Sequence, residues 1–323
     1  MNHIQKLIAA LLLPALCLQL VSCGKDDSKP VTNSASSSAS SSTGSSSAMS
    51  SLSSSPGAVS SASGSSLTGS SGSAAPSYSF SSLPPVGIPE LDYDALRQLD
   101  AAKRDWGFGS PLDKDGRPSS CTVYNDRYGK YDAMFIGPNQ PELYLTFDEG
   151  YENGLTGKIL DTLKEKNVKA VFFVTMTYAK ANPDLISRMI SEGHIVGNHS
   201  SKHPAYYDLS LENAAADAMG FHDYMLQQYG YTMTLFRFPS GSYNEQTLAL
   251  LQQLGYKSVF WSFAYQDWIV DQQIGHDAAF SKITKGIHNG CILLLHAVSQ
   301  DNADVLGGLI DYGRAQGYQW SLI

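Results

Sequence analysis

From Glu142 onward, apolar residues recur in runs of strand length: Leu143–Phe147, Val168–Val174, His194–Asn198, Thr234–Phe238, Tyr256–Ser262, Cys291–His296 and Tyr318–Leu322. Between most of them lie stretches with helical spacing. Leu155, Ile159, Leu160 and Leu163 share one helical face. Asn182-Pro183-Asp184 marks a helix start, with proline at the first helical position, ahead of Leu185, Ile186, Met189, Ile190 and a stop at Gly193. A longer helix is predicted over Leu211–Tyr229, with Leu211, Ala215, Ala218, His222, Met225 and Tyr229 along one side. Leu248, Leu251 and Leu254 run to Gly255, and Val305, Leu306, Leu309 and Ile310 precede Gly317. The runs Val171–Val174 and Ile292–Leu295 are continuous rather than alternating, as in strands buried on both faces. That pattern predicts an α/β fold with a parallel sheet covered by helices. About seven βα units in tandem predict a distorted (β/α) barrel, complete or incomplete, with its working groups at the C-terminal ends of the strands.

Upstream the periodicity fades. Leu91–Lys103 has helical spacing in part, Ser110–Arg127 reads as loop around Pro111, Gly116 and Pro118, and Tyr128–Ile136 is aromatic enough to dock on something. Residues 83–141 are therefore expected to be an N-terminal extension wrapping the domain over 142–323. From Pro30 to about Ser82 the chain is mostly Ser with Ala, Gly and Thr. Such a stretch buries too little to offset its ordering entropy, so 23–82 is expected to be a disordered, flexible tether. Ahead of it, Lys6 and the apolar run Leu7–Val21 read as a secretory signal over 1–22 rather than a spanning helix. Leu20-Val21-Ser22-Cys23 resembles a bacterial lipobox, which implies that Cys23 is lipidated and anchors the protein to the outer face of the cell membrane.

Composition narrows the partners. A formal net charge of −8 argues against nucleic acid. Cys121 and Cys291, the cysteines left after Cys23, are too few for a disulfide framework, and whether they pair is left open. Roughly 240 residues remain for one large domain with a substantial core, expected to be a monomer.

Polar residues then fall at one end of the predicted strands. Asp148 and Glu149 follow the first, His199 and His203 the third, Arg237 lies in the fourth, Asp267-Trp268 follows the fifth, and His296 ends the sixth. Two adjacent carboxylates at a sheet rim are costly unless a proton or cation lies between them; the alternative is a solvated turn. His199 and His203, at i and i+4 on a turn, can face one metal ion, and two histidines with a carboxylate have the composition of a hydrolytic zinc site. His296 reads either as a satisfied core histidine or as a general acid or base. Arg237 needs an acidic partner, for which Asp148 and Asp267 are candidates, and Asp267 can equally hold His296 in one tautomer. Trp268 and Tyr243 read either as core or as a platform for a sugar ring.

Thr146-Phe147-Asp148-Glu149-Gly150, His199-Ser200-Ser201-Lys202-His203, Arg237-Phe238-Pro239-Ser240-Gly241, Asp267-Trp268 and Leu293-Leu294-Leu295-His296 resemble, in order, the five motifs of the polysaccharide deacetylase family, also called the NodB homology domain or carbohydrate esterase family 4. The resemblance covers roughly Glu142–Ile323 and implies a hydrolase that removes acetyl groups from polysaccharides with a divalent metal, zinc by the type of donor. Gly150-Tyr151-Glu152-Asn153-Gly154, Phe260-Trp261-Ser262, the run from His296 to Ala303 and Trp106-Gly107-Phe108 are similar to the delta-lactam-biosynthetic de-N-acetylases. That implies N-acetylmuramic acid in peptidoglycan glycan strands as the substrate.

Carried over, Asp148 would be the base, His296 the acid, Arg237 would orient Asp148, and Asp267 would tune His296. His199, His203 and Glu149 would hold the metal. Ser240, with a backbone N–H for the oxyanion, and Tyr243, Trp268 and Asn153 are the candidate substrate contacts. The broad family carries Asp where this chain has Glu149, so the reach of that ligand changes by a methylene. Other readings are an N-acetylglucosamine or chitooligosaccharide deacetylase, and a tethered glycan-binding protein without catalysis, against which stand Asp148, His296 and both candidate His ligands.

Overall fold

Each apolar run forms a strand: β1 (Glu142–Glu149), β2 (Val171–Val174), β3 (Ile195–Asn198), β4 (Leu235–Phe236), β5 (Lys257–Val259), β6 (Cys291–His296) and β7 (Gln319–Ser321). The computed structural model describes residues 80–81, 83–109 and 111–323; the signal-like run, Cys23 and the Ser-rich stretch lie outside the described residues. The strands pair in the order β7-β1-β2-β3-β4-β5, with β6 also along β1 and a two-residue strand, Ala133–Met134, along β5. Every pairing in this sheet is parallel. Beyond β5 the chain stays extended, and the amides of Ser262 and Phe263 donate to the Ile292 carbonyl at 3.0 and 3.1 Å, while Leu294 N–H donates to the Phe263 carbonyl at 2.9 Å. These bonds join the continuation of β5 to β6, so β1 to β6 curl into the distorted barrel that the tandem pattern predicts. Strand β7 pairs only with the start of β1, at Glu142–Tyr144.

Seven helices pack around these strands: α1 (Thr156–Glu165), α2 (Met176–Ala181), α3 (Pro183–Ser191), α4 (Leu211–Tyr229), α5 (Glu245–Gln253), α6 (His276–Gly286) and α7 (Gln300–Ala315). Pro183 opens α3 as predicted, and Gly230 closes α4 in the left-handed region at φ 61°, which glycine adopts without a Cβ penalty. Ile159, Leu160 and Leu163 of α1 and Ile186 and Met189 of α3 are fully buried, each side chain contributing about 1.5–3 kcal/mol of burial. Two helices escape the periodicity. Helix α2 has six residues, started by the Thr175 side chain, and α6 buries only Ala279 and Ile283, too few to mark a face.

The extension corrects one expectation. Ser119–Tyr128 is a helix rather than loop, begun at Pro118 and burying Cys121 and Tyr128 alone along its length. Of the segment expected to be partly helical, only Tyr93–Arg97 is. The aromatic stretch docks on the barrel: Phe135 stacks on Phe260 with centroids 4.1 Å apart. Trp106 Nε1–H donates to the Trp261 carbonyl at 2.9 Å, so the extension also supports the strand ends. Cys121 and Cys291 are both free, buried thiols.

Candidate active site

Strand β1 carries Asp148 to the barrel rim, where it stands in register with His296 on β6. Both line a pocket of about 460 Å³, together with His199, His203, Ser240, Trp261, Trp268 and Tyr151. Beneath Asp148 lies Arg237, with no solvent exposure. Its Nη1 donates to Asp148 Oδ1 and to Thr146 Oγ1, each at 2.8 Å; Nε and Nη2 donate to the Val259 and Phe260 carbonyls. The guanidinium also sits over the Phe173 ring at 4.1 Å. A buried charge is tolerable only with such pairing and hydrogen bonding. Burial pushes the Asp148 carboxyl up, but Arg237, then His199 and His296, outweigh it and hold it below the ordinary value.

His296 stands beside Asp148 on the paired strand. Its Nδ1–H donates to Asp267 Oδ1 at 2.7 Å and its backbone N–H to Asp267 Oδ2 at 2.9 Å. This leaves Nε2 for the pocket. Burial works against the imidazolium, but the hydrogen bond and charge of Asp267, then the charge of Asp148, raise its pKa above the ordinary value. The site therefore holds an ionised carboxylate and a readily protonated imidazole in one cavity, the opposite states a base and an acid need.

His199 and His203 sit on a turn with backbone in the left-handed region at Ser200 (φ 72°) and His203 (φ 60°). Their rings are 5.0 Å apart. His199 Nδ1–H donates to the Arg237 carbonyl at 2.8 Å, and burial drops its pKa to about 4, so it is neutral at pH 7. Its Nε2 then presents a lone pair to Asp148 Oδ2 at 3.6 Å. Two acceptors face each other there, across a gap that a proton, water or cation would stabilise. The turn is held by a residue the motifs do not reveal, Asp217 on α4, which accepts from Ser201 N–H at 3.1 Å and Tyr206 O–H at 2.7 Å.

Glu149 is not with them. Strand β1 runs through Glu149, and successive side chains of a strand point to opposite faces. Glu149 is fully buried and absent from the pocket lining. Burial, then Glu152 and Asp148, push its carboxyl well above the ordinary value, with Thr156 opposing. The neighbouring Tyr178 hydroxyl donates to Glu152 Oε2 at 3.0 Å, as does Thr156, and Gly154 N–H donates to Glu152 Oε1 at 2.6 Å, whereas neither Glu149 carboxyl oxygen has a hydrogen-bond partner among the described residues. The donor set expected for a divalent ion is thus not assembled, and no group of three or more His, Cys, Asp or Glu among the described residues is arranged to hold a metal ion.

Two expected substrate contacts are also corrected. Tyr243 is fully buried among Tyr128, Phe238 and Phe260, its ring 4.9 Å from that of Phe260, and belongs to the core. Asn153 does not line the pocket; its amide donates to the Val298 carbonyl at 2.8 Å and ties two rim loops together. Trp268 does stand at the rim, 49% exposed, with its ring 5.5 Å from that of His296. Ser240 lines the same pocket with φ 54°. The turn needs close approach at Gly241, where a Cβ would meet Trp261 at 2.7 Å.

The description of the polysaccharide deacetylase family matches residues 136–259. The peptidoglycan-N-acetylmuramic acid deacetylase PdaA of Bacillus subtilis is 39% identical over 220 residues, 68% of this chain and 83% of that protein. The peptidoglycan-N-acetylglucosamine deacetylase PgdA of Listeria monocytogenes is 32% identical over 179 residues, 55% of this chain and 37% of its own length. Among solved structures, B. subtilis PdaA, described as a family 4 carbohydrate esterase, matches with a TM-score of 0.65 and 37% identity over 69% of this chain and 95% of that one.

Proposed function

The chain belongs to the polysaccharide deacetylase family, carbohydrate esterase family 4, whose members hydrolyse N-acetyl groups, and we propose that it deacetylates N-acetylmuramic acid residues of peptidoglycan, the step that leads toward muramic δ-lactam. The observation that carries the catalytic half is the pairing of Asp148 and His296 at one register in a single pocket, each with a buried partner of opposite charge. The substrate half is supported by 39% identity over 83% of the length of the muramic acid deacetylase PdaA; a second muramic acid deacetylase, PdaC, at 31%, is as distant as the glucosamine deacetylases at 30–32%.

In this reading Asp148, held ionised by Arg237, takes a proton from the attacking water. His296, protonated and fixed through Nδ1 by Asp267, gives a proton to the departing amine. The backbone N–H at the Ser240 turn receives the oxyanion, a contact that contributes about 2.7–4 kcal/mol in comparable acyl-transfer sites. Trp268 and Tyr151 on the rim stack on the sugar. Glu149 lies on the opposite face of β1 from Asp148 and outside the pocket that His199 and His203 line, so these residues do not form the expected metal site. The same reading takes Cys23 as the lipid attachment site and the Ser-rich stretch as the tether to the cell wall, which radiolabelled palmitate incorporation, lost in Cys23→Ser, would support.

Acetate release from purified peptidoglycan tests the catalytic half. The full chain should release it, and Asp148→Asn and His296→Ala should each lose at least about a hundredfold in rate. Equal release by the Asp148→Asn variant would end this reading.

A further inference from the structure

We propose that Asn302 is a positioning residue for the reaction, acting through Asp267 to fix His296. The inference rests on the reading of His296 as proton donor. Asn302 lies in the first turn of α7, where its backbone N–H donates to the Ser299 hydroxyl at 3.2 Å, and it is almost wholly buried. Its Nδ2 donates to Asp267 Oδ2 at 2.5 Å and to the His296 carbonyl at 3.1 Å. On its other side Oδ1 accepts from the Tyr265 hydroxyl at 2.5 Å. The orientation of the amide follows from chemistry. An ionised Asp267 only accepts, so the NH₂ must face it, and Tyr265 must then donate to the carbonyl.

The consequence lies at Asp267. Oδ1 receives the imidazole N–H and Oδ2 receives the His296 backbone N–H. Without Asn302 the carboxylate would be held by side-chain and backbone groups of the very residue it must orient. With Asn302, Oδ2 has a second donor anchored on another element and braced by Tyr265, so the carboxylate cannot rotate off Nδ1. Asn302 also grips the His296 carbonyl, fixing the strand end from which the ring projects. Neither Asn302 nor Tyr265 lines the pocket, so neither is a substrate contact. The charged or titratable groups facing His296 are Asp267 from the loop after β5, Asp148 from β1, Arg237 from β4 and His203 from the turn after β3. Among the described residues only Asp267 hydrogen-bonds to the ring, so loss of its alignment should weaken the protonated form.

The test uses the full chain with Asn302→Ala and Tyr265→Phe, each alone and combined with Asp267→Asn, and measures kcat and KM across pH on peptidoglycan glycan strands. Asn302→Ala should lower kcat about tenfold with KM unchanged and move the alkaline limb of the profile to lower pH. Tyr265→Phe should act in the same direction and more weakly. In the Asp267→Asn background, Asn302→Ala should cost almost nothing more, because a residue that acts through another is silent once that other is disabled. A loss of equal factor at every pH, or a full additional loss in the Asp267→Asn background, would make Asn302 a packing residue and overturn the inference. If Asn302→Ala does not fold, Tyr265→Phe carries the same comparison. Full activity in His296→Ala and Asp267→Asn would instead overturn the catalytic reading beneath it, a result distinct from silence at Asn302 alone.

Discussion

Asp148 and Glu149 leave adjacent positions of β1 on opposite faces of the sheet. Asp148 meets Arg237 at 2.8 Å beside the pocket, and Glu149 is sealed behind it with Glu152, Thr156 and Tyr178. On one face a guanidinium offsets the charge of Asp148; on the other, burial, then Glu152 and Asp148, push the Glu149 carboxyl well above its ordinary value.

That separation makes Glu149→Gln a mild substitution. The amide keeps the size of a neutral carboxyl, and kcat should stay within about threefold of the parent. Metal content by elemental analysis should be unchanged. The effect on stability has a definite sign. The folded pKa of Glu149 is raised above its unfolded value, so its contribution is fully present below the unfolded pKa and is lost as pH rises toward the folded one. Melting curves from acid to neutral pH should therefore show the variant gaining on the parent as pH rises. A hundredfold loss of activity with loss of bound metal would instead place Glu149 at the metal.

Arg237→Met should cost about 3–5 kcal/mol of stability, because it strands Asp148 as a buried, uncompensated charge. Chemical denaturation measures this. Activity should fall even in the folded fraction, since Asp148 would then hold its proton into the working range. Arg237→Lys should not rescue, because one ammonium cannot reach Asp148, Thr146 and the carbonyls of Val259 and Phe260 together.

The pH dependence of kcat/KM should be a broad plateau. Asp148 titrates below its ordinary value, so the acid limb should lie below about pH 4; His296 titrates above its own, so the alkaline limb should lie above about pH 6.5. Asp267→Asn removes the main influence raising the His296 pKa and should bring the alkaline limb down. An alkaline limb that stays in place would detach it from His296.

Trp268→Ala and Tyr243→Ala should separate cleanly. The rim residue should raise KM with little change in melting temperature. The core residue should cost about 3–5 kcal/mol through the cavity it leaves, with KM of the folded protein unchanged. Binding isotherms and thermal melts distinguish the two.

Much of this was legible because the strands are buried on both faces and write themselves as continuous apolar runs, so the polar residues that end them fall at one rim. Asp148, His199, His296 and Asp267 came together on that ground. Glu149 was misplaced because the apolar run stops at Phe147, whereas β1 continues through Glu149 and the alternation of the strand then parts the two acids. Tyr243 was open to two readings because its aromatic neighbours Tyr128 and Phe135 come from an extension more than a hundred residues earlier. The helix Ser119–Tyr128 hid for a simpler reason, burying too few apolar residues to show a period. Asp217 and Asn302 carry no motif, and only their hydrogen bonds to the His turn and to Asp267 reveal them.

Mass spectrometry of glycan fragments identifies which sugar loses its acetyl group. Peptidoglycan strands, with and without their stem peptides, would be incubated with the full chain and with Asp148→Asn, then digested and sequenced by fragmentation. Muramic acid residues should lose an acetyl group with the parent protein and none with the variant. Acetyl loss confined to glucosamine residues would contradict this.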